Sequence, residues 1–273
     1  MLKKNLLNAL VLAALTSPAL AMADEAPASP HTVTSNVALV SDYLYRGISQ
    51  SNAKPALQGG FDYAHSSGLY AGVWGSSISW ITDAGIAQSS QLELDTYFGF
   101  KNNFTEDATY DVGFLRYNYP AKYPATMAAV GQGAAATTLW AKADTNEIYG
   151  AVGYKWFSAK LSYSLGSLFA LPNASGSTYL DLSANYPIAD TGITVGAHLG
   201  KQTYKGVTAS QLAAAGNTPT YTDYKLSVSK DFSGYVLGLA YSNTNAKANS
   251  YYSTAMNNNL GKGTAVLSLT RTF

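Results

Sequence analysis

The charged residues at the start of the chain have a spacing that could let them contact a passing solute. Asp42 and Arg46 are four positions apart, so on an extended strand they share one face while Tyr43 and Tyr45 point to the other. If the tyrosines face lipid, Asp42 and Arg46 lie at the external mouth of a water-filled lumen and could form a charged constriction. A salt bridge that orders the wall is the alternative, and the sequence leaves both interpretations open.

Further charged residues fall on the polar faces of other alternating segments. The predicted pore-lining set is Asp42, Arg46, Glu93, Asp95, Lys160, Asp181 and Lys225. Mixed signs in a narrow lumen predict little net ion selectivity and some pairing across the barrel. Glu93 and Asp95 could be a general acid and base, but no nucleophile or pocket accompanies them in the sequence.

The histidines give no pattern for metal binding or catalysis. His31, His65 and His198 are far apart, and the chain has no cysteine, so neither convergent metal ligands nor disulfides are predicted. His65 followed by Ser66 and Ser67 is the one local hint of a hydrolase, and it lacks a third partner. We therefore expect no enzyme, no metal and no cofactor.

Segments of about ten residues with alternating polarity must position these side chains, a pattern typical of membrane β-strands. Twelve are predicted, near 33–46, 56–65, 69–80, 91–100, 109–119, 147–156, 157–167, 178–186, 193–202, 223–231, 235–242 and 264–273. Long connections alternate with short ones nearly throughout, and an even strand count leaves both termini on one side. The predicted fold is an all-β, antiparallel, up-and-down transmembrane barrel of about twelve strands.

The first 23 residues resemble a cleaved signal peptide, with Lys3 and Lys4 before an apolar stretch and Ala21-Met22-Ala23 at its end. Residues 24–273 would then form the barrel, and losing the two lysines takes the formal charge from +1 to −1. That balance excludes a nucleic-acid partner. Only 12% of residues are charged, which favours a surface in contact with lipid. No later segment has the roughly 20 apolar residues of a membrane helix, so insertion would require a closed barrel.

Aromatic residues at the ends of the predicted strands indicate two interfacial girdles. The girdle residues are Tyr43, Tyr45, Trp80 and Tyr241 externally, and Tyr154, Trp156, Tyr186 and Tyr235 on the periplasmic side. The chain ends at Phe273, which closes a period-two run and is the predicted signal for the barrel-assembly machinery. Arg271 stands where an apolar residue is usual, and it could snorkel to the headgroups. These features favour a membrane barrel over a soluble barrel or sandwich.

One early stretch is similar to a known family. The pattern is Ser41-Asp42-Tyr43, then Arg46-Gly47-Ile48-Ser49-Gln50, with Lys54-Pro55-Ala56-Leu57-Gln58-Gly59-Gly60 shortly after. It resembles the TorF-type porin family of proteobacteria, also labelled Gcw_chp, over roughly 36–120, and more loosely afterwards. The resemblance implies an outer-membrane channel of a Gram-negative bacterium with no assigned substrate.

Three functions remain in competition. The leading prediction is a porin-like channel for passive diffusion of small polar solutes, with outer-membrane lipids and the assembly machinery as partners and no prediction of oligomeric state. A structural or adhesive barrel with a lumen plugged by side chains is the alternative, and an outer-membrane hydrolase is the third. The long segment 120–146 would narrow the pore if it folded inward, or form an exposed surface if it did not.

Overall fold

A computed structural model describes residues 29–124, 140–246 and 259–273. Within them, twelve antiparallel strands form a closed barrel in which each pairs with its neighbours in sequence and the last pairs with the first. The described residues contain fourteen strands in all, which are numbered in chain order: β1 (His31–Val40), β2 (Leu44–Tyr45), β3 (Ile48–Ser49), β4 (Ala56–His65), β5 (Leu69–Ser77), β6 (Leu92–Asn103), β7 (Ala108–Asn118), β8 (Thr145–Tyr154), β9 (Phe157–Ser164), β10 (Thr178–Ile188), β11 (Ile193–Thr203), β12 (Tyr221–Phe232), β13 (Tyr235–Thr244) and β14 (Thr264–Thr272). Strands β2 and β3 form a separate hairpin and are not part of the barrel wall.

Two short helices, α1 (Trp80–Asp83) and α2 (Val207–Ala214), lie in the connections between strands. Across the described ranges, no helix is both long enough and apolar enough to cross a membrane. The predicted signal peptide, residues 1–23, and the middle of segment 120–146 lie outside the described residues.

Polarity alternates along the barrel strands with apolar side chains outside. Leu57 is 60% exposed and Phe61 is 64% exposed on β4, while Asp62 between Phe61 and Tyr63 turns inward and is half-buried. An apolar outer face with a polar inner face is the reverse of a soluble barrel, and it is stable when lipid surrounds the outer face. The predicted all-β, twelve-stranded, antiparallel up-and-down barrel is confirmed.

The two ends of the barrel differ. Both described chain ends and the short turns, such as the one between β8 and β9, lie at one end, here called the turn end. The longer connections lie at the opposite loop end. Strand β1 closes against β14 through backbone hydrogen bonds that continue to the last residue, since Phe273 N donates to Ser35 O at 2.8 Å. The terminal residue is therefore part of the seam.

The first strand is shorter than predicted. β1 ends at Val40, and the chain then turns into the barrel, because Asp42 accepts hydrogen bonds from the Ser49 and Ser51 hydroxyls, at 2.6 Å and 3.0 Å. Asp42 and Arg46 consequently do not share a strand face, and the salt bridge between them, one of the two interpretations left open by the sequence, is not formed: Arg46 pairs with Glu147 instead.

Candidate functional site in the barrel interior

An inward hairpin, residues 41–51, begins the interior site. Arg46 and Gly47 form its turn with φ values of 48° and 76°, a backbone that favours glycine. A Cβ on Gly47 would lie 2.8 Å from the Asp223 Cβ and 2.6 Å from Thr244 Cγ2. The hairpin tip therefore packs directly against β12 and β13. Burial raises the pKa of Asp42 above its usual range, although two serine hydroxyls donate to it.

Arg46 links the inward hairpin to the wall. Its Nη1 and Nη2 donate to Glu147 Oε1 and Oε2 at 3.1 Å and 2.8 Å, and Nη1 also donates to Gln202 Oε1 at 2.7 Å. The guanidinium carbon lies 4.2 Å from the centre of the Tyr179 ring. Both side chains of the ion pair are almost fully buried. A two-pronged, desolvated pair of this kind holds a segment in one orientation.

Apolar and aromatic side chains fill the loop end around the hairpin. This filling, here called the plug, consists of the inward hairpin with Ile81, Ile86, Tyr117, Tyr119, Leu168, Leu171, Tyr204 and Tyr221. The hydroxyl of Tyr43 donates to Glu93 at 3.0 Å, and that of Tyr117 donates to Glu147 at 3.2 Å. The plug therefore occupies the loop end of the barrel interior.

A polar network covers the inner wall on β10 to β12. His198 Nε2 lies 2.8 Å from Asp223 Oδ1, and its Nδ1 lies 3.1 Å from Ser183 Oγ and 3.3 Å from Asp181 Oδ1. Tyr179 donates to Asp223. These contacts resemble a serine–histidine–carboxylate triad, but Ser183 donates its hydroxyl proton to Asp181 at 2.6 Å. A nucleophile needs its base to take that proton, so the network acts as a wall brace.

Tyrosines lie against glycines on the inner wall. The pairs are Tyr97 with Gly72, Tyr70 with Gly99, Tyr149 with Gly113, and Tyr179 with Gly200. In each pair a Cβ added to the glycine would come within about 2.6 Å of the ring or its hydroxyl. Only glycine leaves room for a ring at these positions. The hydroxyls then reach carboxylates, as Tyr70 does with Asp111 at 2.6 Å.

The predicted pore-lining residues differ in exposure. Glu93 and Asp95 are 1% and 6% exposed, and Glu93 Oε2 and Asp95 Oδ1 have no hydrogen-bond partner among the described residues. Lys160, Asp181 and Lys225 face inward and are partly exposed. The Lys160 ammonium lies 3.9 Å from the centre of the Tyr149 ring. Asp42 and Arg46 belong to the plug, and the transport role of the whole set stays a prediction.

Three girdle predictions are wrong. Tyr43 is 8% exposed and belongs to the plug, Tyr45 packs on Tyr117 and Phe169 inside the barrel, and Trp80 packs edge-on against Tyr119. Tyr43 and Tyr45 lie inside because β1 ends early and the chain after it turns inward. Trp80 lies inside because it begins α1, a short helix in a connection between strands, and is not part of the barrel wall.

The other girdle residues point outward. The exposed aromatic residues are Tyr154, Trp156, Tyr186, Tyr235 and Tyr241, together with Phe273. The Arg271 guanidinium carbon lies 4.6 Å from the Tyr235 ring centre, and Nη1 donates to Ser233 O at 2.8 Å. Arg271 thus lies among turn-end aromatic residues, the surroundings in which a snorkelling side chain is stable.

The sequence reasoning missed Glu147, Gln202, Tyr179 and Asp223. Glu147 stands at the start of a predicted strand, so alternation of polarity could assign it to the inner face. No local sequence pattern, however, could pair it with Arg46, which is 101 positions away. No cluster of three or more His, Cys, Asp or Glu suited to a metal ion occurs in the part of the chain that the structure describes.

Comparison with solved structures gives distant likenesses. OccD3 (OpdP) of Pseudomonas aeruginosa is 14% identical with a TM-score of 0.39, covering 94% of this chain and 62% of that protein. The outer membrane protein OprD of the same organism is 12% identical with a TM-score of 0.36, covering 84% and 60%. The chain spans about three fifths of the length of these two proteins. A structure from a study of in-meso crystallization of membrane proteins is 9% identical with a TM-score of 0.47, covering 88% and 83%.

Comparison of the sequence with family models identifies the family, which the comparison with solved structures does not. No curated protein sequence matches the chain. The family model described as "Bacterial protein of unknown function (Gcw_chp)" matches residues 24–273. Because that match covers the whole of the described barrel, the chain belongs to the Gcw_chp family.

Proposed function

We propose that this protein is a porin-like channel of the Gram-negative outer membrane that admits small polar solutes by passive diffusion. One observation carries the proposal: a closed barrel has an apolar outer face and an inner wall of hydroxyl, amide and charged groups. The apolar outer face is stable in contact with lipid, and the polar inner wall is stable in contact with water. The resemblance to TorF-type porins agrees with this function.

The sidedness follows from the general plan of bacterial barrels, in which short turns face the periplasm and long loops face outward. The turn end is then periplasmic and the plug closes the external mouth. Lys160, Asp181 and Lys225 line the solute path on the inner wall, and their mixed charge implies weak ion selectivity. Phe273, in the seam beside Ser35, is the proposed contact for the assembly machinery.

The second candidate is a structural barrel whose lumen stays closed. The buried Arg46–Glu147 pair favours it, because a pair this desolvated is costly to break by removing one partner. A channel requires the inward hairpin to move away from its position against the barrel wall, whereas a structural barrel does not. A hydrolase is disfavoured by the proton donated from Ser183 to Asp181.

Single-channel recording in planar bilayers separates the two candidates. For a channel, the wild-type protein conducts in brief openings, and Arg46→Gln lengthens them because the hairpin loses its link to β8. Lys205→Gln, an exposed change at the same end, is the matched control and leaves the openings unchanged. If neither the wild type nor Arg46→Gln conducts, while both show the gel shift of a folded barrel, the protein is a closed structural barrel.

The assembly proposal has its own test. Deleting Phe273 removes the backbone hydrogen bonds to Ser35 and the exposed terminal ring. Insertion in cells should fall while refolding in detergent persists. Unchanged insertion would exclude Phe273 as the recognised residue.

A further inference from the structure

A cleft lies at the loop end of the barrel, beside the ends of β4, β5, β6 and β7. The cleft has a volume of about 740 Å³ and fourteen lining residues, which include two lysines, five serines, one threonine and two glutamines. None of the fourteen is acidic or aromatic. Its volume is in the usual range for a small-molecule site, roughly 300–1,000 Å³.

Hydrogen bonds between backbone groups hold one side of the cleft in place. Gln88 N donates to Lys122 O at 2.8 Å, and Lys122 N donates to Ser89 O at 3.0 Å. On the opposite side, Lys54 N donates to Ser51 O at 3.2 Å. The two lysines therefore project from segments that are each tied to their surroundings.

Several side chains at the cleft have no partner within the described residues. Lys54, Gln88, Ser89, Gln91 and Lys122 are exposed, and their side chains take part in no hydrogen bond or ion pair there. Two ammonium groups with no lining carboxylate suit an anion. The free amides and hydroxyl suit a ligand with many hydroxyl groups, because each can both donate and accept.

The cleft also adjoins the outer face of the barrel. Gln91 lines it, and the next residue, Leu92, is 43% exposed on the lipid-type surface. Pro55 lines it as well, two residues before Leu57, which is 60% exposed. A headgroup carried by a lipid of the external leaflet could therefore reach the cleft without leaving its membrane.

We propose that this cleft binds a phosphorylated saccharide, with Lys54 and Lys122 on the phosphate and Gln88, Ser89 and Gln91 on the sugar hydroxyls. A nucleic acid suits the site poorly, because no lining residue supplies an aromatic ring for stacking a base. The same chemistry could come from a glycolipid headgroup or from a free sugar phosphate. The proposal does not rest on the proposed channel, since neither lysine belongs to the plug or to the predicted pore-lining set.

The test uses the full barrel, folded in detergent and in lipid nanodiscs. In the first arm, N-acetylglucosamine 1-phosphate is titrated into the detergent sample by calorimetry, with unphosphorylated N-acetylglucosamine and inorganic phosphate as comparators. In the second arm, nanodiscs with and without diphosphorylated lipid A are analysed by native mass spectrometry for retained lipid A. Lys54→Gln/Lys122→Gln is compared with the wild type and with Lys205→Gln in both arms.

The phosphorylated sugar should bind more tightly than either comparator. The double variant should lose about tenfold or more in affinity, since it loses two charge-assisted contacts, while Lys205→Gln keeps the wild-type value. Retention of lipid A without binding of the soluble sugar phosphate identifies a headgroup site, and binding of the soluble sugar phosphate without retention of lipid A identifies a site for a free sugar phosphate. No binding in either arm, or equal binding by the double variant, overturns the proposal. A heat-dependent gel shift for every variant excludes loss of the fold as the cause.

Discussion

Arg46 and Glu147 form a buried, two-pronged ion pair, with Nη2 and Oε2 2.8 Å apart, that joins the inward hairpin to β8. The two residues are 101 positions apart in the chain. Gln202 on β11 accepts a further hydrogen bond from the same guanidinium. The hairpin is therefore held at the loop end by two strands on the far side of the barrel from β1.

Removing both partners of this pair should cost less than the sum of the costs of removing each one alone. Arg46→Gln or Glu147→Gln leaves an unpaired buried charge and should lower the free energy of unfolding by roughly 3–5 kcal/mol. The double variant Arg46→Gln/Glu147→Gln should lose less than the sum of the two. Urea unfolding in lipid vesicles measures all three, and strictly additive losses would show that the two side chains are not coupled.

Asp95 should be replaceable with a gain in stability. Its Oδ1 is buried without a hydrogen-bond partner among the described residues, and a buried unsatisfied polar group costs about 1–3 kcal/mol. Asp95→Asn should therefore raise the melting temperature at neutral pH. Asp181→Asn is the matched control and should lower it, because Asp181 accepts from Ser183 and lies against His198. A lower melting temperature for Asp95→Asn would reveal a stabilising partner for that carboxylate.

Asp42 should make stability depend on pH. Burial raises the pKa of its carboxyl in the folded protein, so the folded state binds the proton more tightly than the unfolded chain does. The resulting stabilisation is present below the ordinary pKa of about 3.9 and is lost as pH rises through the folded value. Asp42→Asn should flatten the stability profile across that interval, as measured by unfolding from acid to neutral pH. An unchanged profile would exclude Asp42 as its source.

Gly113 should not tolerate a methyl group. A Cβ there would lie 2.5 Å from the Tyr149 hydroxyl and 2.8 Å from the Phe98 carbonyl oxygen, so Gly113→Ala should cost about 1–3 kcal/mol. Gly150 on the neighbouring strand has open space around it, and Gly150→Ala should change stability by about 0.5 kcal/mol or less. Equal effects of the two changes on the melting temperature would show that the Tyr149 ring can move away from the added methyl group without a loss of stability.

Most of the strand positions could be predicted because a period-two pattern is local. In β6 the outward Leu92 and Phe98 and the inward Glu93 and Asp95 follow directly from alternation. The inward hairpin could not be predicted in this way, because Asp42-Tyr43-Leu44-Tyr45-Arg46 continues the alternation of β1 in sequence. The turn at Arg46 and Gly47 is stabilised by residues far along the chain, such as Glu147 and Gln202, and only the closed barrel brings them together.

The position of the inward hairpin also constrains the order in which the protein matures. The hairpin lies near the start of the sequence, but it contacts β8, β11, β12 and the segment before β14, which come much later in the sequence. In that last segment, Leu260 O accepts a hydrogen bond from Ser49 N at 2.8 Å. Contacts this distant in sequence form only after the entropy of closing long loops has been overcome. Seating of the hairpin is thus a late step that requires nearly every wall strand to be present. A bound Arg46, paired with both Glu147 and Gln202, would therefore mark a barrel whose strands β8 and β11 are already in place.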